Sequence, residues 1–135
     1  MNRKQTRRGQ SLVEFAIILP AFLLLSSGAV DLGRVYYANV ALVGAVEQGA
    51  RVASRDFRTR DPEIRAAVAA EPDDSLHTAI RQEDVTITPA TQRIRSSPVT
   101  VEATTEFRAL SPVMTAIVGN GGVITLKASA TMQVE

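Results

Sequence analysis

The sequence predicts an α+β protein built on a long N-terminal helix, half in a membrane and half exported, with short helices and a small antiparallel sheet of about three strands. Three observations carry this expectation. A basic start leads into an apolar run that holds one acidic residue. Beyond that run no proline interrupts the stretch from Val35 to Ser54, so the helix is expected to continue. From Asp84 onward the apolar residues recur at every second position, which is the period of a half-buried strand.

The first element is set by length. Phe15 to Val30 gives sixteen uncharged residues, or about 24 Å of helix at 1.5 Å per residue, short of the roughly 30 Å hydrocarbon layer. Starting the span at Leu12 adds three residues and reaches about 28 Å, which places Glu14 just inside the apolar layer. An acidic residue costs about 2.5 to 3.5 kcal/mol at the centre of such a helix, and less toward its rim. Glu14 therefore needs a partner. A cut after Gly9 would create an amino group on Gln10, one helical turn before Glu14 in an i, i+4 relation.

Pro20 removes one backbone hydrogen bond within the span, which neighbouring helices can tolerate or compensate. With Gly28 it marks where the span can pack closely. Asp31 marks the far interface, with Arg34 as a surface partner three residues on, and Tyr36 and Tyr37 suit headgroup depth. Ala41, Ala45, Gly49 and Ala53 then recur every fourth residue, a small-residue stripe suited to close packing against a helix or against the protein's own sheet.

After the long helix, Arg51, Arg55, Arg58 and Arg60 are interleaved with Asp56 and Asp61 and read as a solvated helix end. Asp61-Pro62-Glu63 predicts a second helix with Asp61 as its N-cap, and Ser75 is expected to cap a short stretch through Ile80. Val85 and Ile87, then Val99 to Phe107, then Ile124 to Val134 alternate with polar residues and predict the strands. Between the last two, Ser111-Pro112 opens a short apolar helix that Gly119 to Gly122 ends, and this helix either covers the sheet, the favoured reading, or is an exposed contact patch.

Domain boundaries follow: a basic cytoplasmic leader 1–9, a transmembrane helix 10–31, its exported continuation 32–58 and a small extracytoplasmic domain 59–135. Four of the fifteen basic residues lie in the first eight positions, which keeps the N-terminus in the cytoplasm and sends the C-terminal part across. There are no cysteines, so thiolate metal sites have no material, and the one histidine, His77, is the sole imidazole on offer as a base and has no second histidine to share a metal with. No phosphate-binding, zinc-protease or nucleophile-elbow pattern occurs, and the chain is read as a non-enzyme without cofactors. The exported part carries no basic stripe, so nucleic acid is not an expected partner.

The basic leader, Gly9, Glu14 and Phe15 ahead of an apolar run resemble prepilins cut by a prepilin peptidase. Within that class RRGQSLVEFAIILP, GAVDLGRVYYAN, VEQGARVAS and the terminal ASATMQVE resemble the TadE-like proteins of tight-adherence (Tad, Flp) pilus assembly. The resemblance implies a pilin-like layout in the cell (inner) membrane and processing at Gly9, with Gln10, Glu14 and Phe15 as processing and assembly residues. It also implies a prepilin peptidase, other TadE-like or pilin subunits and an inner-membrane assembly platform as partners, besides membrane lipid. Two alternatives remain: an uncleaved single-span anchor for a binding or scaffold domain, and a secreted domain cut by an ordinary signal peptidase near Ala29.

Overall fold

The computed structural model describes residues 4–56, 58–70, 80–89 and 94–135. Helix α1 (Lys4–Arg55) runs unbroken through Pro20. It is followed by α2 (Asp61–Ala70), β1 (Val85–Thr88), β2 (Pro98–Arg108), α3 (Pro112–Val118) and β3 (Val123–Gln133). The expected second short helix at Ser75 and the residue His77 lie outside the described residues.

The strands form one antiparallel sheet in the order β1-β2-β3. Val85 faces Ala103 across the first pair, and Pro98 to Arg108 pair continuously with Gln133 to Val123 across the second. Strict alternation in β2 points Val99, Val101, Ala103, Thr105 and Phe107 inward. The opposite face is wet, and there Thr100 and Thr131 share a hydrogen bond of 2.8 Å and Lys127 lies 3.1 Å from Glu102. A sheet with one wet face needs a cover on the other, and the C-terminal half of α1 supplies it.

Two groups of side chains hold that cover in place. Leu42, Ala45, Val46, Ala50 and Ala53 of α1 pack with Ile64 and Val68 of α2, Val85 and Ile87 of β1, and Val99, Val101 and Ala103 of β2. Nearer the N-terminal end, Ala38 meets Phe107, Ala109 and Met114. The chain closes on the helix again at Glu135, whose N–H donates to the Ser54 carbonyl at 2.9 Å.

Helix α2 begins one residue earlier than the sequence signal predicts. The N–H groups of Glu63 and Ile64 donate to the carbonyl of Arg60, so Asp61 is already helical and Pro62 stands at the second position. Helix α3 starts as expected: Ser111 is its N-cap, and its hydroxyl accepts from the Met114 N–H at 3.2 Å. Its cover of the sheet is partial. Met114 is buried, whereas Leu110 before the helix and Ile117 within it are largely exposed.

Candidate functional site

The N-terminal half of α1 has no protein around it. From Gly9 to Leu25 every residue is exposed, including Leu12, Val13, Phe15, Ile17, Ile18, Phe22 and Leu23. Large apolar side chains standing bare over five turns mark a surface made for lipid or for other helices, and the helix is long and apolar enough to cross a membrane. At its foot the Gln10 amide donates to Glu14 Oε1 at 3.2 Å, so the two residues lie one turn apart on one helix face. Nothing surrounds Gly9, and Phe15 projects beside Glu14 without a contact that buries it.

Bare helix gives way to the globular body at Gly28, where a Cβ would stand 3.7 Å from Val113 Cγ1 of α3. One turn on, Asp31 is 1 % exposed, the most deeply buried acid among the described residues. Its Oδ2 accepts the backbone N–H groups of Leu110 and Ser111 at 3.0 and 2.6 Å, and its Oδ1 accepts from Arg34 at 2.9 Å. The Arg34 guanidinium in turn lies over the Phe107 ring, 5.0 Å from its centroid. Every group facing this carboxylate is a donor, so a side chain read from the sequence as an interface marker instead bolts α1 to the loop between β2 and α3. The i, i+3 spacing identified Arg34 as its partner; no local signal pointed to a loop some eighty residues away.

The small-residue stripe faces inward. Ala45 and Ala53 are fully buried, Gly49 is buried and Ala41 is half-buried at its edge. Gly49 is there for close approach, because a Cβ at that position would overlap Val68 Cγ2 of α2 and stand 3.4 Å from Val101 Cγ1 of β2. The opposite side of the same stretch, with Tyr36, Tyr37, Val40 and Val43, is exposed.

At the far end of α1 an open cleft is lined by Arg55, Asp56, Arg58, Arg95 and Glu135. Its acidic members offset the arginines, and Asp56 Oδ1 accepts the Arg58 N–H at 2.9 Å, as in a solvated helix end. Among the described residues no group of three or more histidine, cysteine or acidic side chains could hold a metal ion.

Comparison with known proteins agrees with the bare helix. The family model described as TadE-like protein matches residues 9–51, which takes in the Gln10 and Glu14 pair, the apolar run, Asp31 and most of the helix beyond it. No curated protein and no solved structure gives a significant match. Residues 9–51 are thus similar to a TadE-like protein, and in this chain that stretch is joined to a three-stranded sheet.

Proposed function

We propose that this protein is a minor pseudopilin or assembly component of a tight-adherence (Tad, Flp; type IVb-like) pilus, cut after Gly9 by a prepilin peptidase. The reading rests on Gln10 and Glu14 standing one turn apart at the foot of an uncovered apolar helix. Residues 10–31 hold the precursor in the inner membrane with the leader in the cytoplasm, and residues 32–135 lie outside it. Once the leader is removed, the new amine of Gln10 neutralises Glu14 in the same chain or in a neighbour, so that the buried acid sets the depth and register of helix against helix. Partners of the same chemistry follow: other TadE-like or pilin subunits and the membrane platform that assembles them.

Intact mass of the full chain purified from a strain with an active peptidase tests the cut. Loss of Met1 to Gly9 is expected, and a chain that keeps them rejects it. The Gln10 side chain already reaches Glu14 without any cut, which favours an uncleaved anchor as the second reading, and the same spectrum decides between the two.

Glu14→Ala tests the pairing. Removing a charge from the apolar layer leaves insertion intact or improved. A charge-assisted hydrogen bond contributes about 1.5 to 3 kcal/mol, so recovery of partner subunits with the mutant is expected to fall about tenfold or more. Undiminished co-purification would remove the pairing role.

A further inference from the structure

The uncovered helix is too short for the membrane that it is read to cross. Leu12 to Ser27, the stretch with no tertiary neighbour of consequence, gives about 24 Å of helix against a hydrocarbon layer of about 30 Å. The missing turn is Gly28 to Asp31, and that turn carries α3 on one side: Val113 lies against Gly28, and the Leu110 and Ser111 N–H groups are bound to Asp31.

Around α3 the chemistry changes in step. Ala109 to Leu126 is eighteen residues without a charged side chain, a run bounded by Arg108 and Lys127. Val113 and Ile117 stand at i and i+4 and so share one side of α3, and Leu110 immediately precedes its N-cap. Val113 points that side toward Gly28, the membrane end of the body, while Met114 points the other side up α1 toward Ala38 and Phe107. Leu110 and Ile117 are 77 % and 74 % exposed.

We infer that the Leu110, Val113 and Ile117 side of α3 is a lipid-binding surface, seated in the outer rim of the bilayer beside the last turn of the transmembrane helix. This rests on the membrane reading of α1. The occupant is lipid because the surface continues the bare apolar wall of α1 at the depth where protein cover begins, and because no charge in α3 or its flanking turns has to be drawn out of water. A short apolar element held parallel to the interface buries its side chains about 5 to 10 Å below the headgroup boundary. The exported domain is then clamped to the membrane at two points, its helix and α3, which fixes its orientation before any partner arrives.

Site-directed fluorescence in vesicles tests this with the full chain, which contains no tryptophan. Ile117→Trp and Leu110→Trp sit at exposed positions and leave the fold unperturbed. Phe22→Trp, read with lipids brominated near the methyl ends of their acyl chains, reports the middle of the span, and Thr131→Trp reports the far end of the sheet. With lipids brominated near the ester end of their acyl chains, Ile117→Trp and Leu110→Trp are expected to lose much of their emission, because side chains seated about 5 to 10 Å below the headgroup boundary lie within reach of the bromines, and Thr131→Trp almost none. Quenching of Phe22→Trp alone, with the α3 probes open to aqueous iodide, would overturn the lipid surface and leave the membrane helix standing. Probes at α3 shielded from both quenchers would overturn it in favour of a protein neighbour. Failure of Phe22→Trp to quench would reject the membrane reading itself.

Discussion

Asp31→Ala is expected to destabilise the globular domain by about 3 kcal/mol, more than any substitution of an exposed charge. The change strands two N–H donors, a buried one on Ser111 and a part-buried one on Leu110, and an unsatisfied buried donor costs about 1 to 3 kcal/mol. It also frees Arg34 from its 2.9 Å contact, while the Phe107 ring still holds the guanidinium near the gap. For a domain of about a hundred residues such a loss lowers the melting temperature by roughly 12 to 20 °C. Thermal unfolding of the full chain in detergent measures it, and amide exchange shows where it acts. Protection should fall first at Leu110, Ser111 and Met114, because the loop and the cap of α3 hang from the carboxylate. Asp31→Asn separates charge from shape: one acceptor oxygen survives, so about half of the loss is expected. An Asp31→Ala domain that melts unchanged would show that the apolar contacts of Met114 and Val113 hold α3 without the acid.

The helix, the three strands and the cap at Ser111 were legible in the sequence because each is a local pattern. Alternating Val and Thr residues located β1 and β2 to within a residue, and the run from Ile124 located β3, since a period of two survives wherever one face of a strand is wet. The i, i+4 placement of Gln10 and Glu14 was legible for the same reason, being fixed by helix geometry alone. What sequence could not give is partnership at long range. Asp31 looked like a boundary marker because nothing near it in the chain announces the Leu110 and Ser111 amides. The spacing of Leu110, Val113 and Ile117 announced a helix and left open whether it covers the sheet or faces outward, which depends on Val113 meeting Gly28.

Gly49 shows how one residue type carries opposite expectations on one helix. Glycine inside a helix costs about 1 kcal/mol relative to alanine, so replacing a glycine that touches nothing is expected to stabilise. Gly44 is such a position, with no atom within 4 Å of a Cβ placed there, and Gly44→Ala should gain about 0.5 to 1 kcal/mol. Gly49→Ala should lose about 1 to 3 kcal/mol, because the new methyl overlaps Val68 Cγ2 and forces α2 away from α1. Gly49→Val should cost more, since its branches also press on Val101, and partial loss of the folded domain is expected. The cause can be isolated. Val68→Ala alone opens a cavity and destabilises, yet Gly49→Ala combined with Val68→Ala should be more stable than the sum of the two singles, with a coupling of about 1 kcal/mol or more for residues in direct contact. Additive losses in that cycle would mean that α2 is not seated on Gly49. Val68 shares its core with Ile64, Val85 and Val101, so α2 would then have to be held by something other than the close approach that a side chain at position 49 forbids.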